Sequence, residues 1–111
     1  MKLIRDRLPE IIGARQGACA YHIATPTQHR RALAAKLVEE TAEAIAAALP
    51  HANPAELVGE LADVLEVVHA LAAAHGISPA DLEHARTAKL QARGGFTRGV
   101  LWHGPDGAPK E

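Results

Sequence analysis

Asn53-Pro54-Ala55-Glu56 and Ser78-Pro79-Ala80-Asp81 spell the same helix start twice in a short stretch of chain. In each, a polar capping residue precedes a proline in the first turn, and an acid follows three positions after the cap. Stop signals answer these starts. Pro50 closes the helix that Thr25-Pro26-Thr27 opens, Gly76 supplies a left-handed end for the second helix, and Gly94-Gly95 ends the third. The punctuation predicts helices over residues 28–49, 54–74 and 79–91. A short helix from Pro9 to Gly13 or Gly17 is expected before them. Residues 18–24 alternate weakly and read as extended, and residues 96–102 read as an apolar, strand-like tail that packs on the helices.

The material available for a core agrees with helices. Hydrophobic residues make up 48% of the 111 and aromatics only 3%, so Leu, Ile, Val and Ala must fill the interior. Small aliphatic side chains suit close helix contacts, and the fold class expected is an all-α helix bundle. A chain of this length makes one domain, expected over residues 1–103 with a mobile tail over 104–111. Lys plus Arg total 12 against 13 for Asp plus Glu, a net charge of −1 that lacks the positive bias of a nucleic-acid binder. The single Cys19 cannot form an internal disulfide and fits a reducing compartment. No apolar run approaches the ~20 residues of a membrane span. Met1-Lys2-Leu3-Ile4-Arg5-Asp6-Arg7 becomes charged too early for a signal peptide. A cytoplasmic protein is expected.

On a helical wheel, acids fall where apolar side chains belong. In the helix after Pro26, Leu33, Leu37, Ala44 and Ala48 share one stripe, Glu40 lies within about 40° of Ala44, and Glu43 follows about 60° further round. Glu39 points more outward. In the next helix Leu57, Val64, Val68 and Leu71 form a stripe, extended by Leu61 and Val67, and Glu60 falls about 20° from Val67 and from Leu71. Asp63 borders the same sector. Either acidic pair alone is what a solvated helix face carries. Two pairs at i, i+3 on consecutive helices, both intruding on apolar stripes, are harder to leave in water. If the helices pair antiparallel, four carboxylates converge and repel one another unless a cation sits among them. Oxygen ligands without His or Cys select Mg²⁺ or Mn²⁺ over zinc.

Glu39-Glu40-Thr41-Ala42-Glu43, then sixteen residues, then Glu60-Leu61-Ala62-Asp63 resembles the E-E-x-x-E … E-x-x-D signature of the all-α nucleoside triphosphate pyrophosphohydrolases. These MazG-like enzymes are related to phosphoribosyl-ATP pyrophosphohydrolase. Lys2-Leu3-Ile4-Arg5-Asp6-Arg7-Leu8-Pro9-Glu10 and Arg93-Gly94-Gly95-Phe96-Thr97-Arg98-Gly99 look like its small single-domain branch, with Arg7 where that branch more often carries Lys. The likeness covers residues 2–101, although much of the stretch from Gly13 to Thr27 matches nothing in it.

The resemblance implies Mg²⁺-dependent hydrolysis of the α–β phosphoanhydride of a nucleotide, to a monophosphate and pyrophosphate, in the service of nucleotide-pool house-cleaning. Glu40, Glu43, Glu60 and Asp63 are the implied metal ligands. Glu39 is either a further ligand through water or the group that orients the nucleophile. Cations must meet the phosphate oxygens. Lys36, one turn before Glu40, and Lys89 and Arg93, at i, i+4 on the third helix, are the first candidates, with Arg5, Arg7 and Arg98 behind them. The seven histidines show no metal-ligand spacing, and Phe96 and Trp102 read as packing anchors. One hairpin cannot cover its own apolar surface, so a homodimer that completes a four-helix core is expected. The alternatives are a true phosphoribosyl-ATP pyrophosphohydrolase of histidine biosynthesis and a catalytically silent helical dimer that acts as a binding module. A nucleic-acid-binding role comes last.

Overall fold

The computed structural model describes residues 1–107, and they are all-helical: α1 (Leu8–Gln16), α2 (Pro26–Ala48), α3 (Pro54–Ala74) and α4 (Pro79–Arg93), with no strand among the described residues. The boundaries follow from the caps. Thr25 Oγ1 accepts a hydrogen bond from Gln28 N at 3.2 Å, and Gln28 Oε1 accepts one from Thr25 N at 3.0 Å, a reciprocal pair that sets the first turn of α2. Thr25 is therefore the cap, and α2 begins at Pro26 rather than Gln28. Asn53 Oδ1 accepts from Ala55 N at 3.0 Å and starts α3. α1 closes at Gly17, whose φ of +80° a residue with a Cβ rarely adopts.

Two compact units make up the chain, Met1–Pro79 and Ala80–Glu111. In the first, α2 packs against α3. Only residues 49–53 connect them, too short a path for anything but an antiparallel hairpin. Its core is narrow. Leu33 and Ala44 of α2 and Val67 of α3 are the buried apolar residues among those described. Val67 thus lies on the inner stripe of α3 as expected, but Leu61, expected beside it, is 51% exposed. α3 is apolar over most of its circumference, so periodicity does not say which apolar residues meet α2.

The far sides of both helices stay bare. Val38, Ile45 and Leu49 on one, and Val58, Leu61 and Leu65 on the other, are all more than half exposed. On a wheel the first three fall within about 40° of one another and the second three within about 60°.

The second unit holds α4 and the segment after it. α4 buries no residue, and Glu83 pairs with Arg86 one turn on, with Nε at 2.9 Å from Oε2. The strand-like tail expected over 96–102 is instead irregular. A turn at 97–98 leads into Gly99 at φ +64°, which breaks any extended run, and Phe96, Val100, Leu101 and Trp102 are exposed rather than packed. Of the expected tail over 104–111, a turn occupies 105–106, and residues 108–111 lie outside those described.

Candidate functional site

The inner face of the hairpin carries acid in its middle. Glu40 is 7% exposed, between Leu33 and Ala44 on the stripe of α2 that meets α3. Glu60, half-buried, answers it from α3. Both side chains have an oxygen, Oε2 in each, that is shut off from solvent with no hydrogen-bond partner. A buried carboxylate oxygen without a partner is among the more expensive features a small protein can carry. Asp63 stands one turn from Glu60, and one carboxylate oxygen from each of Glu40, Glu60 and Asp63 lies within 4.8 Å of the others. Three of the four expected ligands are therefore brought together.

The fourth, Glu43, is exposed and stands at the edge of the cluster. Its carboxyl is pushed above the ordinary glutamate range. A hydrogen bond with Glu40 is the main cause, followed by the negative charge of Glu40, some desolvation, and the charges of Glu60 and Glu39. This is the like-charge strain that the convergence of these acids implies.

Cations border the cluster on the outside. Lys36 Nζ lies 3.2 Å from Glu40 Oε1 and 3.5 Å from Glu39 Oε1, so the one-turn spacing from Lys36 to Glu40 does bring them together. Lys2 Nζ reaches the same oxygen of Glu39 at 3.5 Å. Arg5 Nη2 contacts Asp63 Oδ1 at 2.5 Å. Glu39 thus sits between two lysines, outside the group of three. Arg7 pairs with Glu10 of α1 at 3.6 Å. Lys89 and Arg93 lie on α4 and Arg98 in the segment after it, all in the second unit.

The donor set suits a hard divalent cation. It offers only carboxylate oxygens, with no His or Cys in the group, and two of its acids, Glu40 and Glu60, each carry a buried oxygen with no partner. A cation there would satisfy both. Beside Glu40 opens a cavity of about 360 Å³, walled by Leu3, Ile4, Leu33 and Val67 and edged by Lys36 and Glu66. Lys2 and Glu66 were not singled out from sequence. Glu66 sits one turn after Asp63 and continues the acidic spacing, which was a usable signal. Lys2 reaches Glu39 through a non-helical segment whose path no periodicity reports.

A helical scaffold, a carboxylate cluster fit for a divalent ion and cations at its rim are the parts of a hydrolase that works on phosphate groups. The family follows from comparison. Residues 6–89 match the model of the phosphoribosyl-ATP pyrophosphohydrolase family, and the chain belongs to that family of nucleotide pyrophosphohydrolases, which are in general metal-dependent. The match takes in Glu39, Glu40, Glu43, Glu60 and Asp63 and reaches Lys89, leaving Arg5, Arg93 and Arg98 outside it. No curated protein and no solved structure matched the chain. No helix among the described residues is long and apolar enough to cross a membrane.

Proposed function

We propose that this protein hydrolyses the α–β phosphoanhydride of a nucleotide, releasing pyrophosphate and a monophosphate, with Mg²⁺ held by Glu40, Glu60 and Asp63 and with Glu43 at its edge. The observation that carries this reading is the pair of buried, unpartnered Oε2 atoms of Glu40 and Glu60. Mg²⁺, or Mn²⁺ in its place, supplies charge against the phosphate oxygens and lowers the pKa of a bound water. The protein's part is to hold those acids in a water-poor seam and to place the nucleotide. Glu39, held between Lys2 and Lys36 beside the cluster, is suited to orient the attacking water. Lys36 is the best supported of the phosphate cations, because it already stands at the acids. Arg7, Lys89, Arg93 and Arg98 remain candidates for the same task.

The role we assign is removal of unwanted nucleotides from the cytoplasmic pool. The description of the matched family favours a second reading equally, the phosphoribosyl-ATP step of histidine biosynthesis. We assign the bare faces of the hairpin to a second copy of the chain. Leu33, Ala44 and Val67 are a small core for the first unit, and the bare apolar stripes on the far sides of α2 and α3 leave surface for a two-fold partner to cover. The deciding experiment is a panel of nucleoside triphosphates and phosphoribosyl-ATP with Mg²⁺, assayed for pyrophosphate. Release from triphosphates supports the first reading and release from phosphoribosyl-ATP alone supports the second. Release from neither leaves the silent helical dimer. Within an active panel, Lys89→Ala and Arg93→Ala should raise KM with little change in Mg²⁺ binding.

A further inference from the structure

The cations at the cluster divide its oxygens in a regular way. Lys36 takes Oε1 of Glu40 and leaves Oε2, while Arg5 takes Oδ1 of Asp63. Each holds one oxygen of an acid that also contributes an oxygen to the cluster. The two cations differ in where they come from. Lys36 belongs to α2 and shares a helix face with Glu40, whereas Arg5 comes from the segment ahead of α1 and reaches α3 across the chain.

That segment is anchored on both sides of Arg5. Behind it, Leu8 N donates to Arg5 O at 3.0 Å and joins Arg5 to the start of α1. Ahead of it, Leu3 and Ile4 are half-buried and line the cavity with Leu33 and Val67, and Lys2 pairs with Glu39. The backbone is thus fixed although the Arg5 side chain is 60% exposed. Asp63, with its side chain 40% exposed, is far less enclosed than Glu40. Repulsion from Glu40 and Glu60 favours a rotamer of Asp63 turned away to solvent. A guanidinium on Oδ1 opposes that rotation and fixes the plane of the carboxylate.

We propose that Arg5 is a positioning residue for Asp63, holding its carboxylate in the orientation that presents it to a divalent cation. This rests on the metal reading above. It assigns Arg5 a task distinct from phosphate binding, and one that acts before any nucleotide arrives. Partners that orient a metal ligand typically matter by 10- to 100-fold in metal affinity. A positive charge that merely occupied the site would act in the opposite sense and compete with the ion.

The test is Mn²⁺ titration of the full chain by calorimetry without nucleotide, for the unaltered protein, Arg5→Ala and Arg5→Lys. The expected result is binding about tenfold weaker in Arg5→Ala, with an intermediate loss in Arg5→Lys, which keeps the charge without the planar guanidinium. Unchanged affinity in Arg5→Ala overturns the inference, and tighter binding overturns it by making Arg5 a competitor. Helical circular dichroism in chelator checks the fold. Where the alanine variant loses its helical signal, Arg5→Gln keeps a donor without the charge and is read in the same way. An unaltered chain that binds no Mn²⁺ removes the metal reading itself, whereas equal binding in both proteins removes only the role of Arg5.

Discussion

The two faces of the α2–α3 hairpin break opposite rules. The inner face, where apolar side chains should meet, carries Glu40 and Glu60 with buried oxygens that nothing satisfies. The outer sides of the two helices, where polar side chains should meet water, carry Val38, Ile45 and the C-cap Leu49 on α2 and Val58, Leu61 and Leu65 on α3. Each face is incomplete in a different currency. The inner one lacks positive charge at its centre, and the outer one lacks apolar cover. The lesson is that a helix can be apolar nearly all round and still be specific, because its two sides meet different partners.

The largest expected effect comes from the inner face. Asp63→Asn keeps the shape of the side chain and removes a charge from the cluster. If that charge holds a catalytic ion, turnover falls about 100-fold or more, close to 2.7 kcal/mol of barrier, while the helical content stays. Pyrophosphate release measured with saturating nucleotide checks it. Full turnover in this variant would return the inner acids to a structural role.

On the outer face, a charge should separate the two copies. Ile45→Asp with Leu61→Asp puts an acid on the bare stripe of each helix, so whichever stripe meets a second copy must bury at least two carboxylates, which is prohibitive. Sedimentation should show the unaltered chain at twice the monomer mass and the double variant at the monomer mass. A monomeric unaltered chain would mean that this apolar face serves something other than a copy of itself.

Much of this was legible in sequence, for reasons that differ by feature. Helix ends were readable because caps are local: Asn53 and Thr25 bond to N–H groups two and three residues away. Glu40 and Glu60 stood out because they fall within otherwise apolar stripes, and Glu43 and Asp63 because each follows one of them at i, i+3. Which side of α3 faces α2 was not readable, because Leu61 and Val67 look alike on a wheel and only packing separates them. The pairing of Arg5 with Asp63 was also hidden. It spans 58 residues and depends on the path of an irregular segment, which no periodicity reports.

Metal should act on the inner face alone. A cation bound only by the folded protein stabilises it by mass action, about 2.7 kcal/mol at a hundred times its Kd. Millimolar Mg²⁺ or Mn²⁺ should therefore raise Tm by several degrees over the protein in chelator. Glu60→Gln should lose most of that rise, and Ile45→Asp with Leu61→Asp should keep it. Equal melting temperatures in chelator and in Mg²⁺ would argue against the cluster as a metal site.

The smallest expected effect sharpens the comparison most, because it makes the inner face obey the ordinary rule. Glu60 lies on the wheel between Val67, which is buried, and Leu71, with an orphaned Oε2. Glu60→Leu removes that oxygen and relieves the repulsion from Glu40 and Asp63. Leu and Glu have similar helix propensities, so the helix itself is little affected. Replacing an uncompensated buried charge with a packed apolar side chain is often stabilising. In chelator, at one fixed protein concentration, Glu60→Leu should unfold at higher urea than the unaltered chain, by about 1 kcal/mol. In Mg²⁺ the order should reverse, since the unaltered chain gains a ligand that the variant can no longer hold. A variant less stable than the unaltered chain in chelator would show that Glu60 earns its place through packing, and that charge is not what the inner face lacks.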